Sequence, residues 1–218
     1  MLKILCFGDS ITLGEKDIEQ GGWADRLKKQ YFAQFVDSQT QKITLYNLGV
    51  AGETTDGLAK RFDIELRARS IKGQSLIVVF AYGANDIVIH KEKNIVPEAY
   101  YISNLKRCIE SAKKFKADIL LLNLLPIADS IEGKVNQHGK LRFDQDIQVY
   151  NFAIKKLSHD MNCEYLDLYA CFVENNKEDY LSSDGVHPNS KGHQLLYQKI
   201  KQRLSILDAP DHPQSSAR

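Results

Sequence analysis

The sequence predicts an α/β fold: a five-stranded parallel sheet with helices on both faces, forming three layers. Three observations carry that expectation. Short apolar runs alternate with longer amphipathic stretches along the chain. The runs near the middle are continuously apolar, as strands covered on both faces require. No linker or internal repeat divides the 218 residues, a length that fits one domain. The expected domain spans residues 1–207, and residues 208–218, rich in Pro, Ser and Ala, read as a frayed tail.

The strand-like runs are residues 3–7, 43–47, 76–82, 119–124 and 164–168. Helix-like stretches cover residues 23–35, 56–69, 97–115, 143–161 and 190–207. The third of these opens with Pro97, whose fixed φ suits a first turn. It repeats apolar residues at helical spacing: Tyr101, Leu105, Cys108, Ile109 and Ala112. Strands that alternate with helices pair in parallel. In such sheets ligands bind outside the carboxyl ends of the strands. The loops after Phe7, Asn47, Tyr82, Leu124 and Leu168 are therefore where chemistry is expected.

Composition narrows the function classes. Lys and Arg number 29 against 28 Asp and Glu, a formal net charge of +1. That balance offers no electrostatic reason to expect nucleic acid or an anionic membrane as partner. The basic group Lys113, Lys114 and Lys116 reads as a solvated helix face. The four cysteines, Cys6, Cys108, Cys163 and Cys171, form no C-x-x-C pair, which argues against a zinc knuckle or a thioredoxin-like site. The first residues turn acidic at Asp9, too early for the apolar region of a signal peptide. The longest apolar run, residues 76–82, is far short of a membrane span. The expectation is a soluble, cytoplasmic protein without stable membrane insertion.

The first loop reads Gly8-Asp9-Ser10-Ile11-Thr12-Leu13-Gly14. A phosphate-cradling loop would place Lys after its last glycine, and Glu15 stands there; the dinucleotide fingerprint lacks its middle glycine. Ser10 could instead expose its hydroxyl at the rim of the sheet, or simply cap a helix. The second loop holds Gly52, which lets a ligand approach its N–H or merely shapes a turn. The third holds Asn85 and Asp86 after a strongly apolar strand; the Asn amide could donate to an oxyanion or to the local backbone. The last reads Asp184-Gly185-Val186-His187-Pro188. A tight turn there would fold the carboxylate onto the imidazole and set its tautomer.

Each loop alone has an ordinary structural reading; in this order, on one expected face, they do not. Gly8-Asp9-Ser10, Gly52, Gly83-x-Asn85-Asp86 and Asp184-x-x-His187 resemble the sequence blocks of the GDSL, or SGNH, hydrolase family. The resemblance runs from Lys3 to about His193, and Ile11 stands where the family name carries leucine. It is nearest to small bacterial esterases related to thioesterase I/lysophospholipase L1. It implies a flavodoxin-like three-layer fold and a serine hydrolase of esters or thioesters. By that resemblance Ser10 is the nucleophile, His187 the base and Asp184 its orienting acid. The oxyanion hole would be the N–H groups of Ser10 and Gly52 with the Asn85 amide. Asp9 and Asp86 would support their loops through bonds to backbone N–H groups. The chain order Ser…Asp…His matches that of α/β-hydrolases, but the G-x-S-x-G elbow is absent.

No cofactor is expected, and no metal: His193, six residues beyond His187, would face away from the turn. The expected partner is a small acyl ester or thioester, with acyl chain, leaving group and oligomeric state open. Residues 87–97 could line an acyl pocket or pack their own apolar side chains on the domain. A rival from another class is a flavodoxin-like module holding a nucleotide or small anion at the same rim. A catalytically silent relative acting as an interaction surface is a third reading.

Overall fold

The computed structural model describes residues 1–38 and 42–208. In chain order its elements are β1 (Leu2–Gly8), α1 (Ser10–Leu13), α2 (Gly22–Ser38), β2 (Ile43–Gly49), α3 (Thr55–Arg69), β3 (Ser75–Ala81), β4 (Ile89–His90), β5 (Lys93–Asn94), α4 (Glu98–Lys114), β6 (Asp118–Leu122), α5 (Asp144–Asp160), β7 (Glu164–Leu166), α6 (Leu168–Glu174) and α7 (Ser190–Leu207). Five strands pair in parallel in the order β2-β1-β3-β6-β7. This is the three-layer α/β arrangement expected from the sequence. Of the expected frayed end, residues 208–218, all but Asp208 lie outside the described residues.

The central strands β1, β3 and β6 are almost wholly apolar because both of their faces are covered, while the edge strands β2 and β7 are only partly buried. Successive side chains point to opposite faces. On β1, Leu5 and Phe7 join one core cluster while Ile4 and Cys6 join the other. β3 divides in the same way into Val78 and Phe80 against Ile77 and Val79. The first cluster is closed by Leu58, Phe62 and Leu66 of α3, the apolar stripe of α4, and Ile147, Tyr150 and Ile154 of α5. The second is closed by Trp23 and Leu27 of α2, Phe172 of α6, and Leu196, Ile200 and Leu204 of α7. Each such side chain contributes roughly 1.5–3 kcal/mol on leaving water.

Three short features went unforeseen. The ribbon β4–β5 turns through Lys91 and Glu92, both at positive φ (52° and 64°). Turns of that kind usually carry Asn or Gly, so no sequence signal marks it. α6 begins where Asn123 Oδ1 accepts from Leu168 N and Tyr169 N at 2.7 and 3.1 Å. That bond explains why the run expected over 119–124 leaves the sheet after Leu122: Asn123 is taken up in capping. α1, a single turn, is too short for periodicity to show.

The strand order changes direction between β1 and β3: the chain goes from β1 outward to β2, then returns to β3 on the other side. Loops leaving β1 and β3 therefore diverge and open a crevice at the carboxyl edge of the sheet. At that edge Gly8 pairs with Gly49 on one side and Ala81 on the other. A Cβ at Gly8 would lie 2.0 Å from Thr12 Oγ1 and 2.9 Å from Ala81 O. The glycine lets α1 sit directly on the strand end.

Candidate active site

Ser10 is the first residue of α1, immediately beyond β1. Asp9 caps the turn, its Oδ1 accepting from Ile11 N at 2.9 Å. The Ser10 N–H is thus one of the donors that a first helical turn leaves without an intrahelical partner. The side chain is nearly buried, at 7% exposure, and its Oγ lies 2.8 Å from His187 Nε2. The two residues are 177 positions apart.

His187 sits in a turn that Asp184 holds from within. Asp184 Oδ1 accepts from Ser182 Oγ at 2.9 Å and from the backbone N–H groups of Val186 and His187, each at 3.0 Å. Its other oxygen lies 2.8 Å from His187 Nδ1. Ser182 N donates to His187 O at 2.8 Å and closes the loop. One carboxylate therefore folds the turn and faces the ring. Burial pushes the Asp184 pKa up, but the His187 and Val186 N–H groups, the imidazole and the Ser182 hydroxyl more than reverse that, bringing it to about 2. An ionised acceptor at Nδ1 places the ring proton there and leaves Nε2 free to accept from Ser10.

Asn85 follows β3 across the crevice. Its Nδ2 donates to Glu53 O at 3.1 Å and to Asp9 Oδ2 at 3.4 Å, so the amide lies between the nucleophile loop and the loop after β2. Val50 N donates to Gly8 O at 3.0 Å and Glu53 N to Val50 O at 3.1 Å, which hangs the Gly52 turn from the end of β1. Gly52 has φ +72° and is exposed, with no atom within 4 Å of where a Cβ would be. Asp86 reaches away from the crevice: its Oδ1 accepts from Thr55 N at 2.9 Å and Thr55 Oγ1 at 2.5 Å, securing the start of α3. Burial raises the Asp86 pKa to about 6, against the Thr55 bonds. Burial likewise raises Asp9 to about 7, opposed by the Ile11 N–H and reinforced by the charge of Asp86.

Several residues near the site carried no signal in the sequence. Glu53 is gripped by Arg61, with Nε 2.8 and 3.0 Å from its two oxygens and Nη2 2.6 Å from Oε2, and by the Tyr82 hydroxyl at 2.6 Å. Arg142 donates from Nε to Ala84 O at 3.3 Å; burial lowers its pKa, while the charges of Asp9 and Asp184 act in the opposite sense. Glu15 Oε2 lies 3.6 Å from His187 Nε2, and Lys16 Nζ 3.8 Å from Asp184 Oδ2. None of these has a recognisable spacing, because each joins separate elements. His193 is fully buried and faces the Glu15 carbonyl, Nε2 to O 3.1 Å. Among the described residues no group of three His, Cys, Asp or Glu side chains could hold a metal.

Of residues 87–97, Ile87, Val88 and Val96 are buried, and Ile87 and Val96 belong to the core on the α4 side. Ile87 also borders a small apolar cavity with Ile11, Ala84, Leu124, Ile127 and Val186. Ile95 is exposed.

A family model described as GDSL-like lipase/acylhydrolase matches residues 6–195. The chain is 28% identical over 211 residues to the isoamyl acetate-hydrolyzing esterase 1 homolog of Homo sapiens, covering 91% of this chain and 79% of that one. It is 23% identical over 215 residues to the spore germination lipase LipC of Bacillus licheniformis, covering 92% and 95%. The fold superposes on the lipase/acylhydrolase of Enterococcus faecalis with TM-score 0.73 at 23% identity, over 97% of this chain and all of that one.

Proposed function

The chain belongs to the GDSL-like lipase/acylhydrolase family and is an ester hydrolase, and from that premise we propose that Ser10, His187 and Asp184 carry its reaction through an acyl-enzyme. The observation that supports this most is the unbroken relay from Ser10 Oγ to His187 Nε2 and from His187 Nδ1 to Asp184 Oδ2, each step 2.8 Å.

In this mechanism Ser10 Oγ attacks the acyl carbonyl as His187 Nε2 takes its proton. Asp184 stays ionised and stabilises the imidazolium. The oxyanion is received by the N–H groups of Ser10 and Gly52 and by the Asn85 amide, one such donor being worth roughly 3–4 kcal/mol in the transition state. Asp9 and Asp86 support the loops that present these donors. The imidazolium then protonates the leaving oxygen as the C–O bond breaks. Water, deprotonated in turn by His187, releases the acyl group as an acid. No step calls for a cofactor. Residues 1–207 act as one domain.

The finer substrate reading is a small ester of a short acyl group. Ile87 and Val96 pack into the core, the cavity beside Ile87 is small, and the human relative is named for an acetate ester. A thioester or lysophospholipid would use the same groups, and rates over esters and thioesters of increasing chain length separate these cases. Among the described residues no helix is long and apolar enough to cross a membrane. All four cysteines are free thiols, which supports a place in the reducing cytoplasm. The deciding experiment is labelling by a fluorophosphonate probe. Stoichiometric labelling that vanishes in Ser10→Ala and nearly vanishes in His187→Ala is expected. Labelling that survives Ser10→Ala would remove the serine from the mechanism, and saturable nucleotide binding without labelling would favour a binding module.

A further inference from the structure

Glu15 stands beside the atom that must protonate the leaving group. Its Oε2 is 3.6 Å from His187 Nε2, and its side chain is 40% exposed. A leaving oxygen in hydrogen-bond contact with Nε2 lies about 3 Å from that nitrogen. It therefore falls within about 7 Å of the Glu15 carboxylate, close enough for a donor one or two carbons along the alcohol to reach it. Among the described residues, no Lys or Arg nitrogen lies within 4 Å of this carboxylate, whose nearest basic neighbour is the imidazole itself.

The backbone that carries this carboxylate is also held in place, unlike that of a loose loop. Glu15 N donates to Ser10 O at 3.0 Å, which ties it to the nucleophile's own turn. Its carbonyl accepts from His193 Nε2 at 3.1 Å, and His193 has no exposed surface. A carbonyl only accepts, so Nε2 carries a proton, and burial pushes the pKa of the ring down. Two residues on, Asp17 Oδ2 accepts from Arg26 Nε and Nη2 at 3.0 and 2.8 Å, and Arg26 Nη2 reaches Ser190 Oγ at 2.9 Å. The loop is thereby clamped to α2 and α7. Lys16, at left-handed φ +71°, turns instead toward Asp184. An acceptor carried on an anchored backbone beside the triad recognises a donor at less ordering cost than one on a mobile loop.

We infer that Glu15 is the leaving-group specificity residue of this hydrolase, favouring esters whose alcohol carries a further hydrogen-bond donor, a neighbouring hydroxyl or an ammonium. The inference rests on the triad proposed above. The test compares kcat/KM of the full chain on propyl acetate, glycerol monoacetate and 2-(dimethylamino)ethyl acetate, in wild type, Glu15→Ala and Glu15→Gln. Wild type is expected to prefer at least one donor-bearing ester over propyl acetate. Glu15→Ala should lower that preference ratio roughly tenfold, about the worth of one charge-assisted hydrogen bond, whatever factor all esters share. Glu15→Gln, which keeps an acceptor without charge and guards against a misfolded alanine variant, should retain part of a hydroxyl preference and lose an ammonium preference. A ratio within twofold of wild type in both variants overturns the inference, and so does an equal loss on all three esters, which would mean Glu15 acts only on His187. Absence of Ser10-dependent hydrolysis in wild type would instead overturn the triad.

Discussion

Replacing Glu53 by alanine tests how the oxyanion loop is kept in position. The substitution removes an acceptor reached by Arg61 and by Tyr82. The Glu53 side chain is 9% exposed and that of Arg61 21%. Breaking a buried ion pair from one side costs roughly 3–5 kcal/mol, because the remaining charge loses its partner. Arg61 keeps some water and a bond from Nη2 to Leu48 O at 2.7 Å. The loss should therefore lie at the lower end, about 3 kcal/mol. The catalytic effect comes through the backbone. Glu53 O accepts from the Asn85 amide, and Gly52, one residue before, has no packing neighbour of its own within 4 Å of a Cβ. A loosened Glu53 should misplace the donors on both sides. Complete loss of one donor costs roughly 10²–10³ in kcat, so partial displacement should cost about 10–100-fold, with KM little changed. Urea unfolding gives the first quantity, and steady-state hydrolysis of p-nitrophenyl acetate, under conditions where both proteins are folded, gives the second. A variant that loses the stability but keeps kcat within twofold would refute the reasoning: the network would then support only the fold, and the Gly52 turn would hold its shape unaided.

Asn85→Ala should reduce kcat about a hundredfold while KM moves little, because the amide serves the transition state; a change confined to KM would make it a substrate-binding group instead. Asp184→Asn should lower kcat by roughly 10⁴, since an amide can stabilise the wrong tautomer of His187, and single-turnover acylation rates would report it directly. Near-normal acylation would relieve Asp184 of its role. Asp9 offers a pH test. Its folded pKa of about 7 lies above the ordinary carboxylate value of 3.8, so the folded state binds the proton more tightly. Stability from this group is thus greatest below about pH 4 and falls as pH rises to about 7. Asp9→Asn, which keeps an acceptor for Ile11 N, should raise the unfolding free energy from urea titration relative to wild type near pH 8 by up to a few kcal/mol and do little near pH 4. The same difference at both pH values would refute that assignment.

How far the sequence could be read depended on the range of the interaction behind each feature. α4 was legible because its stripe, Tyr101, Leu105, Cys108, Ile109 and Ala112, is the set of residues it buries. The β4–β5 turn was not, because Lys91 and Glu92 accept positive φ without the residues that usually advertise it. Asn123 read as part of a strand because its partners, Asp167, Leu168 and Tyr169, arrive more than forty residues later. The Asp184–His187 pair could be read locally, since one carboxylate spans three residues of a single turn.

By itself the amino-acid order determined which segments alternate as strand and helix, and hence that the loops after β1, β2 and β3 gather at one edge. It also determined which reactive groups those loops carry, because periodicity and turn chemistry act over a few residues. Only the tertiary structure decided that Ser10 and His187 stand 2.8 Å apart, that Arg61 and Tyr82 grip Glu53, and that His193 sets Glu15 beside the imidazole. Those meetings depend on strand order and on helices packed from opposite ends of the chain. Distances between such elements are set by how two cores fill around the sheet, and no local pattern encodes that.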